Sequence, residues 1–185
     1  MDRTLVEAAR SGDEAAFASL ARGSADRLFA VAHRILRDTG RAEDAVQQTL
    51  VMAWRQLPEL RDADRFEAWI HRILVHACYA EASRQRRWAG NVRLLSVDGP
   101  ATPDTTLDVA TRDALDRGFR RLPPEQRAVF VLHHYVGWPL ADIAESLSLP
   151  IGTVKSRLHY ATGSMRAALE ADARATNAAS RERMA

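Results

Sequence analysis

The chain has 185 residues, 46% hydrophobic and 27% charged, the make-up of a soluble folded protein and not of a low-complexity one. Nine glycines and seven prolines are too few for a loop-rich all-β design, no run of 18 or more apolar residues offers a membrane span, and the single cysteine excludes an intrachain disulfide or a cysteine-cluster zinc site. The net charge is only +2, so nucleic-acid binding has to rest on how charge is distributed: residues 119–169 carry six basic and three acidic side chains, against three and five in residues 88–118.

The start, Met1-Asp2-Arg3-Thr4, lacks the basic-then-apolar build of a signal peptide, so the expected location is the cytoplasm. Apolar residues recur at helical spacing through most of residues 4–88, with breaks at Ser11-Gly12-Asp13, Gly23-Ser24, Asp38-Thr39-Gly40 and Pro58. Four or five helices follow. The clearest run from Ser24 to Arg37, with Leu28, Val31, Ala32 and Ile35 on one face, and from Arg41 to Leu57. A further helix spans about Asp64 to Arg87, with Phe66, Trp69, Ile70, Ile73, Leu74 and Ala77 as its apolar stripe and Cys78 as a buried small hydrophobe.

From Ala89 to about Thr111 the helical period is lost and Gly, Pro, Asp and Thr gather, which predicts a flexible linker. Helical signals resume near Arg112 and break at Leu122-Pro123-Pro124-Glu125. Three helices are expected beyond: Glu125 to Val136, Pro139 to Leu147, and Ile151 to about Leu169, followed by an Ala- and Arg-rich tail with no clear stop. The fold class is all-α, with a domain over 1–88, a linker over 89–117, a second domain over 118–169 and a fraying tail over 170–185.

The segment from Pro139 to Leu169 carries the most information. Ile143, Ala144 and Leu147 face inward, a tight turn spans Ser148 to Pro150, and Val154, Leu158, Ala161 and Met165 repeat at i, i+4, i+7 and i+11. That is helix-turn-helix spacing, and it leaves Lys155, Ser156, Arg157, His159 and Tyr160 away from the apolar stripe. Residues 152–169 hold three formal positive charges and no acid, so such a helix can approach phosphates while its first turns reach base edges in the major groove. The plain alternative is a helical hairpin with a solvated charged face.

With GTVKSRL here and AEDAVQQTLVMAW upstream, the chain resembles the extracytoplasmic-function sigma factors of bacterial RNA polymerase over about residues 10–88 and 118–169. The resemblance implies a subunit that binds core polymerase and directs promoter recognition, melting and initiation, with no cofactor, no metal and no catalytic residue of its own. It implies contacts to the β′ clamp helices through Asp44, Gln47 and Gln48, which three- and four-residue spacing allows on one polar helix face. The β subunit and promoter DNA are further implied partners. An anti-sigma factor is common in the family, and the surfaces needed for polymerase and DNA are natural targets for one.

By the same resemblance, Phe66, Trp69, Arg72, His76, Arg84, Arg86 and Arg87 fall in the part that opens the minus-ten element. Melting requires that unstacked bases be caught and the displaced backbone be held by cations. Phe66 and Trp69 also lie on the apolar stripe, where their ordinary role is core packing. His76 in RILVH stands where many relatives have Asn, a departure that weakens its carry-over. Lys155, Ser156, Arg157, His159 and Tyr160 correspond to the minus-thirty-five contacts, although relatives often have Gly at Ser148 and Arg at Tyr160 and Thr162. Losing two cations weakens salt-dependent attraction to phosphates.

Two other functions compete. A stand-alone helix-turn-helix regulator with a helical sensor domain would keep the DNA contacts but leaves AEDAVQQ unexplained. An enzyme would need a motif such as HExxH, a glycine-rich phosphate loop or GxSxG, and none occurs. His133 and His134 are adjacent and so are expected on different sides of their helix.

Overall fold

The structure, a computed structural model, describes residues 2–91 and 109–182, with side chains for 2–87, 115–171 and 173–174. Among the described residues all regular structure is helical. Most of the expected linker, 92–108, lies outside them. The chain forms two compact units.

The first unit is built on α1 (Arg3–Arg10), α2 (Glu14–Leu36), α3 (Thr39–Gln56) and α4 (Phe66–Asn91), with 3-10 turns at Leu57–Glu59 and Ala63–Arg65 joining α3 to α4. Three aspartates start three helices. Asp2 accepts from the Thr4 amide at 3.0 Å, Asp13 from Ala16 at 3.0 Å and Asp38 from Arg41 at 2.9 Å, each satisfying an amide that has no partner inside its helix. Helix α2 ends at Arg37, whose φ of 62° is left-handed and whose amide returns to the His33 carbonyl. Leu20, Leu28, Val31, Ile35, Leu57, Phe66, Ile70 and Leu74 are buried at the centre.

One expected break does not occur. Helix α2 runs straight through Gly23-Ser24, because Ala16, Leu20, Ser24, Leu28, Val31 and Ile35 form one buried stripe at helical spacing on both sides of the glycine. An interior glycine costs about 1 kcal/mol relative to alanine, less than the burial of one leucine contributes.

The second unit is built on α5 (Val109–Arg121), α6 (Pro124–His134) and α8 (Ile151–Glu182), and α7 (Leu140–Ser146) precedes α8 in the chain. Leu115, Phe119 and Phe130 pack against Leu122, Ala161 and Met165, and the Phe119 and Phe130 rings meet edge to face at 5.4 Å. The unit therefore begins upstream of residue 118, within the stretch expected to be linker. Gly118 is what lets α5 approach α8: a Cβ there would stand 2.8 Å from the Met165 sulfur and 3.2 Å from the Ala168 Cβ. Pro124 sits in the first turn of α6, and Gly137, at φ 85°, follows its end. Helix α8 does not stop near Leu169 but continues to Glu182 through an alanine-rich stretch that favours helix wherever the chain is free to form it.

Candidate nucleic-acid interface

Helix α3 separates its residues cleanly. Ala42, Ala45, Val46, Thr49 and Ala53 are buried, and Thr49 donates to the Ala45 carbonyl at 2.7 Å. On the opposite side Asp44 and Gln47 are exposed and Gln48 is half-buried, so the expected polar triplet shares one face. That face continues as Val51 and Trp54, which are 46% and 38% exposed, with the Trp54 ring 4.9 Å from Phe17. The sequence reading missed both, although neither falls in the register of the buried residues, and that was the available signal.

Helix α4 buries Phe66, Ile70, Ile73, Leu74, Val75, Ala77 and Cys78. Burial drives the Cys78 thiol up to about 12, with the nearby Glu81 charge acting in the same direction, so it behaves as an inert core group. Phe66 is 1% exposed and offers no ring face to a base, so it is a core residue and leaves the melting set. Trp69 is half-buried, 5.8 Å from Phe66 by ring centroid, with part of its surface outward. Arg72, His76, Arg84, Arg86 and Arg87 are all exposed. Steps of three and four residues put Trp69, Arg72, His76 and Arg87 on one line along the helix.

The α4 cations differ in their surroundings. Arg84 donates to Glu81, whose carboxylate is 5% exposed while Arg84 itself is 57% exposed. Arg86 donates to the Ser83 hydroxyl at 3.1 Å. His76 stands edge-on to Tyr79, with centroids 6.4 Å apart. His71, on the buried side, has its Nδ1 at 2.8 Å from the Glu67 carbonyl, and desolvation lowers its pKa, which favours the neutral ring.

Ahead of α8, Ile143, Ala144 and Leu147 are buried and Ser148 takes a φ of 54°, a left-handed turn residue where glycine would be unstrained. The amides of Thr153 and Val154 both bond to the Pro150 carbonyl, at 2.9 and 3.2 Å, which starts α8. Val154, Ala161, Met165 and Ala168 are buried and Leu158 half-buried, as the spacing predicts. Lys155, Ser156, His159 and Tyr160 are exposed and Arg157 is half-buried. Tyr160, at 65% exposure, meets His159 edge to face at 5.8 Å, and Ser156 donates back to the Thr153 carbonyl at 3.0 Å. The five side chains occupy the first three turns of a helix that has no acid in its first turn.

His133 and His134 do not diverge as expected: their rings meet edge to face at 4.8 Å, and Nδ1 of His133 lies 2.9 Å from the Trp138 carbonyl. Desolvation first, and the neighbouring His133 second, lower the pKa of His134. Among the described residues no group of three or more metal-ligating side chains converges, and no helix is long and apolar enough to cross a membrane.

One helix with no acid in its first five turns, and elsewhere an exposed polar helix face and a helix with exposed arginines, are the features to be set against known proteins, and comparison with those identifies the kind of protein. The family model for Sigma-70 region 2 matches residues 20–88, and that for Sigma-70 region 4 matches residues 112–161. The ECF RNA polymerase sigma factor SigL of Mycobacterium tuberculosis is 36% identical over 172 residues, spanning 86% of this chain and 94% of that protein. SigM of the same species is 35% identical over 156 residues, spanning 84% of this chain and 78% of SigM. Among solved structures, the sigma factor RpoE of Bartonella quintana, in complex with the anti-sigma factor NepR, matches with a TM-score of 0.65 and 26% identity over 78% of this chain and 91% of that one. CnrH, in complex with the cytosolic domain of CnrY, matches with a TM-score of 0.60 and 27% identity over 92% of this chain and 98% of that one. The chain belongs to the extracytoplasmic-function sigma factors, the RNA polymerase subunits that direct promoter recognition in transcription initiation.

Proposed function

We propose that three exposed helix faces divide the work of initiation. The α3 face, Asp44, Gln47 and Gln48 continued by Val51 and Trp54, docks on the β′ clamp helices of core polymerase. The α4 face, Trp69, Arg72, His76, Arg86 and Arg87 with Arg84 held by Glu81, meets the minus-ten element and the strand displaced as it opens. The first turns of α8, through Lys155, Ser156, Arg157, His159 and Tyr160, read the minus-thirty-five element, with the second unit also against the β subunit. The protein works in the cytoplasm as a binding and positioning subunit, and polymerase carries the chemistry.

The observation that carries this reading is the sorting of each helix into a buried apolar stripe and an outward stripe on which every one of these candidate side chains is exposed or half-buried. Because RpoE of Bartonella quintana is bound to the anti-sigma factor NepR and CnrH to the cytosolic domain of CnrY, an anti-sigma partner that covers the α3 and α8 faces is part of the proposal. Run-off transcription with core polymerase on a promoter library tests it. Selective initiation from promoters with paired minus-thirty-five and minus-ten elements is expected, and core polymerase that gains no promoter selectivity from the protein rejects it.

A further inference from the structure

Helix α1 lies ahead of residue 20, where the match to Sigma-70 region 2 begins, and it packs on the connection between α3 and α4. Val6 and Ala9 are buried on its inner face, and Leu57, Leu60 and Ala63 are buried in the connection. Polar contacts join the two at both ends. The Arg3 guanidinium, braced by Glu7 at 2.9 Å, reaches the Asp64 carboxylate at 3.0 Å, but both side chains are 63% exposed and the pair contributes little. Arg10, in the last turn of α1, is half-buried and donates through Nη1 to the Leu60 carbonyl at 3.1 Å and the Arg61 carbonyl at 3.4 Å. These two carbonyls fall between the 3-10 turns, whose own bonds are Leu60 amide to Leu57 carbonyl at 3.0 Å and Arg65 amide to Asp62 carbonyl at 3.2 Å.

Apolar packing holds the inner stripe of α4 against α2 and α3, but such packing is not directional. A planar guanidinium on two successive carbonyls is directional, and it acts one turn ahead of the residue where α4 begins. We propose that Arg10 is a positioning residue for promoter opening: by pinning the Leu60 and Arg61 carbonyls it fixes the first turns of α4 and with them Trp69 and Arg72. It touches neither the α3 docking face nor the exposed α4 line, so its loss acts on opening and leaves polymerase docking in place. The inference rests on the assignment of α4 to the minus-ten element.

The test uses the full chain with core polymerase on one promoter in two forms, a closed duplex and the same duplex with its minus-ten segment already unpaired. Arg10→Met keeps the length of the stem and removes the donors. It is expected to bind core polymerase and to transcribe the unpaired template within about twofold of the parent, while closed-duplex transcription falls about tenfold. Arg10→Lys keeps the charge and one donor and is expected to show the same template preference at about threefold; it carries the test if the methionine variant is unstable. Equal loss on both templates means that Arg10 serves folding alone and overturns the proposal, as does an unchanged ratio in both variants. A parent protein that fails to open the closed duplex would reject the α4 assignment instead, which separates the two failures.

Discussion

Helices α4 and α8 both turn a basic face outward, yet two of the exposed arginines on α4 are held by neighbouring side chains while the cations in the first turns of α8 lie in acid-free sequence. On α4, Arg84 is tied to a buried carboxylate and Arg86 to a serine hydroxyl, whereas Lys155 and Arg157 lie in a stretch with no acid between residues 152 and 169. Restraint reduces the side-chain entropy lost when a cation meets its target, at the expense of part of its charge. That suits a helix whose target is a deformed, opened strand that must be met at fixed geometry. Acid-free surroundings suit a helix that approaches intact duplex, where attraction to phosphates sets both rate and affinity.

The largest effect is expected on α8. Lys155 and Arg157 are two residues apart and leave the helix in different directions, so the proposed minus-thirty-five role assigns one to a base edge and the other to a phosphate. Removing a base contact costs about 1–3 kcal/mol and relaxes preference at one position, whereas removing a phosphate contact weakens all sequences alike and lowers the salt slope by about one. Lys155→Ala is expected to follow the first pattern and Arg157→Ala the second. Transcription by the double variant from matched and mismatched promoters over a range of salt checks this. Unchanged minus-thirty-five preference with an unchanged salt slope would break the contrast at its α8 end.

The α4 end is tested by a double-mutant cycle. Arg84→Gln leaves the Glu81 carboxylate buried without its cation and is expected to destabilise the first unit by about 1 kcal/mol, a value kept low because Arg84 is largely exposed. Adding Glu81→Gln should recover most of that loss in chemical denaturation. If the two substitutions are additive, Arg84 is not restrained by Glu81, and α4 and α8 are alike.

A pH effect follows from the buried histidine of α4. Burial favours the neutral His71 ring, so its folded pKa lies below the unfolded value near 6.5. Between the two values the unfolded chain binds the extra proton, and the stabilisation present above pH 6.5 is lost as pH falls. Thermal melts of the parent and His71→Gln at pH 7.5 and 5.5 should show a parent loss at the lower pH that the variant largely lacks.

Much of this arrangement is written in the sequence as period. The α8 stripe of Val154, Leu158, Ala161 and Met165, and the α4 stripe from Phe66 to Ala77, are spaced by the helix itself and so are legible without a structure. Where local signals and packing disagree, the sequence misleads. Gly23-Ser24 reads as a stop but lies on a buried stripe, and Leu115 and Phe119 fall in a stretch with few apolar residues yet dock on α8 through the gap at Gly118. For Phe66, position on the stripe was the better guide to its role. The Arg10 contact depends on a helix and a distant loop converging, and residue type at a single position carries no trace of that, whereas Glu81 and Arg84 stand at the three-residue spacing that the sequence displays and only the burial of Glu81 needed the structure.

The smallest expected effect concerns the turns. Two turns hold a non-glycine residue in the left-handed region, Arg37 at φ 62° after α2 and Ser148 at φ 54° before α8. A left-handed L-residue costs roughly 1–2 kcal/mol, while glycine raises the entropy of the unfolded chain by about 0.4–1 kcal/mol. For Ser148, an exposed turn residue, the first effect exceeds the second, so Ser148→Gly should stabilise the protein by about 0.5 kcal/mol and leave promoter preference unchanged. Arg37 is different because its side chain also interacts within the fold, and glycine there forfeits that interaction together with the strain. Arg37→Gly is therefore expected to be neutral or destabilising. Denaturant titration of the two variants decides the matter, and a gain at Arg37 equal to that at Ser148 would mean that backbone strain alone governs both turns.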